Sequence, residues 1–165
     1  MTIPTTGARL VIVCGLPGSG KTTHARRLQA RCGAVRLCPD EWIEALSLTI
    51  RDERWRDKIE SLQWQLGRQL LALGLTVIIE WGTWERSERD ALRLQARELG
   101  VAVELHYLFA PHEVLLDRVQ RRGKETPPIG REQMMHWANA YQEPTAEEKS
   151  LFDSAVGLET LAPLN

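Results

Sequence analysis

The sequence predicts an α/β fold, a mostly parallel sheet layered between helices. Three observations predict it. Short apolar runs rich in β-branched residues recur along the chain, as in strands covered on both faces. Between them lie longer segments whose apolar residues step by three or four, as on one face of a helix. A glycine-rich turn joins the first run to the first helical segment, and such alternation favours parallel strands linked by helices.

The elements follow in order. "RLVIVC" (9–14) is the first strand, and a helix follows from Lys21 to about Arg31. "AVRLC" (34–38) is the second strand, after which Asp40 is placed to cap a helix beginning "EWIEALS". From Asp52 to Leu73 the residues Trp55, Ile59, Leu62, Leu66, Leu70 and Leu73 form one apolar helix face, with Trp55 expected in the core and Gly74 as the stop. "LTVIIEW" (75–81) is the third strand, "RSERDALRLQARELG" (86–100) a helix and "VAVELHYLF" (101–109) the fourth strand. Pro111 opens "PHEVLLDRVQRRG", a polar loop spans 124–130, a short helix covers 131–141, and "FDSAVGL" (152–158) is the last strand.

Composition sets the bounds. With 165 residues, 43% hydrophobic and 26% charged, the chain fits one soluble globular domain. A net charge of −1 supplies no global field for nucleic acid or an anionic membrane. Cys14, Cys32 and Cys38 form no CxxC pair and leave an odd thiol, which fits a reducing cytoplasm. The N-terminal residues lack the pattern of a signal peptide, and no apolar run approaches the roughly 20 residues of a membrane span.

The chemistry begins at Gly15-Leu-Pro-Gly-Ser-Gly-Lys-Thr22, which fits G-x-x-x-x-G-K-[ST] in the required strand–loop–helix context. Backbone N–H groups curled inward and the positive end of a helix bind phosphate oxygens. The expected nucleotide set is Gly15, Pro17, Gly18, Ser19, Gly20, Lys21, Thr22 and Thr23. Lys21 is expected to reach the β- and γ-phosphates of ATP, and the Thr22 hydroxyl to ligate Mg²⁺.

Two carboxylates fall beyond strand C-termini, where ligands bind in open α/β sheets. Asp40 in "RLCPDEW" is expected to orient an acceptor hydroxyl and take its proton, or else to cap the following helix. Glu80 in "VIIEW" is expected to reach Mg²⁺ through water or hold substrate, the alternative being a strand-end carboxylate on backbone amides. Trp42, Trp81 and Trp84 lie close by; Trp81 is a candidate wall for a planar substrate, with packing under loops as the commoner role.

Arg118 and Arg122 share one helix face before the loop. Guanidinium groups there could stack on a base or clamp phosphoryl oxygens, with segment 123–130 closing as a lid; a solvated basic helix end is the alternative. Arg86, Arg89, Arg93 and Arg97 also repeat at helical spacing, interleaved with Glu85, Asp90 and Glu98, and read as a solvated, salt-bridged face. The four histidines show no metal-ligand spacing.

"GLPGSGKTT", "CPDEW", "VIIEWGTWERSERDALR", "LLDRVQRRG" and "YQEPTAEE" together resemble the small P-loop kinases grouped as AAA-domain, ATP-binding proteins. That group is similar in shape to polynucleotide 5′-kinases, chloramphenicol phosphotransferase, zeta toxins and nucleoside monophosphate kinases. The resemblance covers most of the chain. It implies a three-layer P-loop sandwich with five strands in the order 2-3-1-4-5. It implies an acceptor-side role for Asp40, and lid roles for Arg118 and Arg122 near adenine and the γ-phosphate. Glu80 stands where an aspartate is common. The expectation is an ATP- and Mg²⁺-dependent phosphotransferase, with Lys21, Asp40 and Arg122 catalytic and Asp40, Glu80 and Trp81 near a hydroxyl acceptor. A polynucleotide 5′-hydroxyl kinase and a nucleotide-dependent switch without an acceptor are the alternatives.

Overall fold

The computed structural model describes residues 7–48, 53–125 and 127–160. Their order is β1 (Arg9–Cys14), α1 (Lys21–Cys32), β2 (Val35–Leu37), α2 (Pro39–Ala45), α3 (Glu53–Ala72), β3 (Val77–Ile79), α4 (Arg86–Glu98), β4 (Ala102–Phe109), α5 (His112–Arg122), α6 (Arg131–Ala140), α7 (Ala146–Ser150) and β5 (Ser154–Glu159). The strands form one sheet in the order 2-3-1-4-5. Every pairing is parallel, with Ile12 opposite Ile79 on one side and Leu105 on the other.

Alternation along β1 explains the layers. Leu10, Ile12 and Cys14 join Leu71 of α3 and Leu92 and Ala96 of α4 in one core, while Val11 and Val13 join Ala25 of α1 in a second. Both faces are therefore covered, which is why the strands read as continuous apolar runs. Because all strands run the same way, the turns after β1, β2, β3, β4 and β5 gather at one edge. No helix among the described residues is long and apolar enough to cross a membrane.

Four expectations are corrected. The buried side of α3 is Ile59, Gln63, Gly67 and Leu71. Leu62, Leu66, Leu73 and Trp55 are exposed, so Trp55 is not core and the leucine stripe lies beside the packed face. Leu37 and Val77 explain Gly67: a Cβ there would stand 3.2 Å from Leu37 Cδ1 and 3.6 Å from Val77 Cγ1. Gln63 is buried because its Oε1 accepts the Trp81 indole N–H at 3.0 Å.

The second correction is at α2, which begins at Pro39 with Cys38 as its N-cap. Proline suits the first turn, so Asp40 lies inside the helix and does not cap it. Third, Arg89 is fully buried and not on a solvated face. Its guanidinium forks onto Glu148 at 2.6 and 2.9 Å and donates to the carbonyls of Thr83 and Gln142, both at 2.8 Å. Arg86 and Arg97 keep the exposed, ion-paired character expected of the stripe. Fourth, α7 was not anticipated; Thr145 caps it, accepting the Glu148 N–H at 3.1 Å, and delivers Glu148 to Arg89.

Candidate functional site

The loop between β1 and α1 is shaped by its glycines. Gly15, Gly18 and Gly20 have φ of 145°, 82° and 92°, a region that favours glycine. Two of them are also pressed against neighbours. A Cβ on Gly15 would stand 2.2 Å from the Leu108 carbonyl oxygen of β4, and one on Gly18 would stand 2.7 Å from the Leu115 carbonyl oxygen of α5. Leu16 packs into the α5–α6 cluster of Leu115, Val119 and Met134. Pro17 sits at the loop's turn and Ser19 is fully buried. Gly20 has no side chain to cap α1, so the first N–H groups of the helix face the loop's concavity.

Lys21 folds over this concavity. Its ammonium donates to the carbonyls of Gly15 at 2.8 Å and Leu16 at 3.0 Å. Burial lowers its pKa to about 8, against the pull of Glu80, Cys14 and Asp40 and with a smaller push from Arg122. The Thr22 hydroxyl donates to Glu80 Oε1. Glu80 Oε2 in turn accepts from Arg36 Nη1 at 2.5 Å. Glu80 thus joins the loop helix to β2. Thr22 and Glu80 offer hard oxygens of the kind Mg²⁺ takes, in a set too small to hold the ion without phosphate and water. Among the described residues no group of three or more His, Cys, Asp or Glu side chains could hold a metal alone.

Arg36 is a residue that sequence reasoning missed. It sits on β2 with a side chain only 7% exposed, and it also reaches Glu41 at 2.5 Å. Burial works against its charge, but the hydrogen bonds it donates to Glu41 and Glu80 more than offset this and raise its pKa. The signal was one arginine inside the apolar run "AVRLC". Arg56 was missed too. It donates to Asp40 Oδ1 at 2.6 Å and lies 3.7 Å from Glu60.

Asp40 keeps an exposed carboxylate at this edge, held by Arg56. Arg118 Nη1 donates to the Gly18 carbonyl at 3.3 Å and to Thr160 Oγ1 at 2.9 Å, so it is tied to the loop and not a solvated helix end. Arg122 pairs with Glu125 in the α5–α6 connection. Thr126 of that connection lies outside the described residues. Thr23 follows Thr22 in the first turn of α1. Trp81 is buried between α3 and α4, and Trp84 packs edge-on against Trp137 and Tyr141, as the packing role required.

Three solved structures of similar fold can be compared. Chaetomium thermophilum Kti12 in complex with ADP-AlF3 gives a TM-score of 0.68 at 18% identity, over 91% of this chain and 88% of that one. A sugar kinase from Janibacter sp. HTCC2649 gives 0.62 at 21% identity, over 92% and 85%. The Pnkp1/Rnl/Hen1 RNA repair complex gives 0.68 at 21% identity, over 89% of this chain and 47% of that one. These likenesses show a shared P-loop kinase fold. No curated protein matches the sequence. The family model described as AAA domain matches residues 10–144, from β1 past α6, and the chain belongs to that family.

Proposed function

We propose that this chain, acting as one kinase-like domain, moves the γ-phosphoryl group of ATP to a hydroxyl of a small molecule. The observation that carries the reading is the meeting of Lys21, the Thr22–Glu80 pair and the Arg56-held Asp40 at one sheet edge. The loop N–H groups and Lys21 would hold the phosphates and offset charge that grows in transfer. Mg²⁺, when bound, would neutralise phosphate charge and align the oxygens, with Thr22 as the protein ligand and Glu80 fixing that hydroxyl.

Asp40 would take the acceptor's proton as its oxygen bonds to phosphorus and the bond to the bridging oxygen of ADP breaks. Arg56 would hold the carboxylate in place, and Arg122 would offset charge on the transferred group from the root of the lid. Arg118 spends in-plane donors on Gly18 and Thr160, so what it would offer adenine is its flat face.

The test is Asp40→Asn. Because α2 is not capped by Asp40, stability and ATP affinity should stay near wild type. Transfer of labelled phosphate to a panel of sugars, nucleosides and 5′-hydroxyl oligonucleotides should fall about 10²–10⁴-fold. Normal transfer would remove Asp40 as the base. Phosphorylation of oligonucleotides alone would favour the polynucleotide kinase, and hydrolysis without any acceptor the switch.

A further inference from the structure

A second cavity lies in the groove between α3 and α4, of about 240 Å³. It opens beyond the C-terminal end of β3, since Trp81 and Thr83 line it. Its Glu60 is 3.7 Å from Arg56, and Arg56 holds Asp40. One guanidinium, that of Arg56, thus touches both the cavity's Glu60 and the carboxylate assigned as base.

The lining has a definite chemistry. The indole N–H groups of Trp64 and Trp81 are taken by Gln95 at 2.7 Å and Gln63 at 3.0 Å. The two rings thus add mostly apolar wall. Glu60 and Glu88 supply carboxylates, and no lysine or arginine is among the described lining residues. Thr83 is only 4% exposed, yet its Oγ1 has no hydrogen-bond partner. Thr83 also holds a φ of 40°, a costly conformation for a β-branched residue. That hydroxyl is itself enclosed, so Thr83 shapes the wall of the groove without presenting its oxygen to the cavity.

We propose that this groove is the acceptor pocket and that it selects a small hydroxyl compound carrying an amine, an amino sugar or amino alcohol. The identification of the acceptor rests on the kinase reading above. At about 240 Å³ the cavity lies below the roughly 300–1,000 Å³ of most ligand pockets, so it has room for no more than a single sugar-sized molecule. A polyphosphate or an oligonucleotide would meet two carboxylates and no cation among the described lining residues. An ammonium group would meet Glu60 and Glu88. Burial raises Glu60 to about 7 against the pull of Arg56, with Glu88 and Asp57 adding to the rise. A bound cation relieves that concentration of acid.

The experiment titrates the intact protein, without ATP, and reads tryptophan fluorescence. The probes are matched pairs: glucosamine against glucose, galactosamine against galactose, and serinol against glycerol. The expected result is an affinity at least tenfold higher for an amine than for its neutral partner. Glu60→Gln should erase most of that ratio by weakening the amine far more than its neutral partner. Glu88→Gln, which keeps an N3 side chain able to close the helix cap, should lower the ratio too and serves if Glu60→Gln does not fold. Equal affinity within every pair, no binding by any amine, or a wild-type ratio in the folded variants would overturn the proposal. Amine binding with no phosphoryl transfer to any acceptor would refute the kinase reading and leave the pocket's selectivity standing. Transfer to neutral acceptors alone would do the reverse.

Discussion

Lys21 illustrates what one side chain contributes. Its pKa is lowered to about 8 chiefly by burial, so the charge that phosphate needs is present below pH 8 and lost above it. ATP affinity should therefore hold between pH 6.5 and 7.5 and weaken as pH rises through about 8, most steeply above it. Calorimetric titrations at four pH values would check this, and a flat profile to pH 9.5 would contradict it. Lys21 and Thr22 were legible because they sit in a local motif with fixed spacing. The partners of Glu80 and Asp40 were not. Arg36 lies 44 residues from Glu80 and Arg56 lies 16 from Asp40, and such pairings depend on which strands become neighbours.

At the scale of elements, α4 and α3 show how periodicity misleads. The arginine stripe on α4 has solvated members, but Arg89 turns inward because Glu148 waits there on α7. Burying one charge without the other is costly, so the two form a unit. Arg89→Ala should destabilise the protein by about 3–5 kcal/mol, leaving Glu148 buried and unpaired. The double change Arg89→Met with Glu148→Leu should recover much of that loss in chemical denaturation. A double variant as unstable as Arg89→Ala would contradict this account. On α3 the leucines suggested the wrong face by one position. The true face uses Gly67 for close approach to Leu37 and Val77, and Gln63 for a bond to Trp81. Neither choice carries a hydrophobic signal.

Across the molecule, the strands were legible because doubly covered parallel strands must be apolar throughout, while their order came from the family resemblance. Strand β5 was legible by composition, although it is an edge strand with mostly exposed side chains. The end of β5 matters to the nucleotide loop more than its exposure suggests. Thr160 Oγ1 donates to the Ser19 carbonyl at 3.0 Å and accepts from Arg118. Thr160→Val should keep the melting temperature close to wild type and weaken ATP binding about tenfold, the effect of about 1–1.5 kcal/mol in hydrogen bonding. Unchanged affinity would mean that Arg118 is held well enough by its other contacts.

The Ser19–Thr160 bond spans 141 residues of sequence. Such distant closure is slow to form, because the ordering of the intervening chain precedes its reward. On the ribosome, β1, the loop and α1 are made before the other described elements, and Thr160 after all of them. A nascent chain stalled within α7 would hold the whole nucleotide motif in sequence while lacking the brace on Arg118 and Ser19. The cell would thus make the phosphate loop early and complete its support last, so incomplete chains should be poor competitors for ATP.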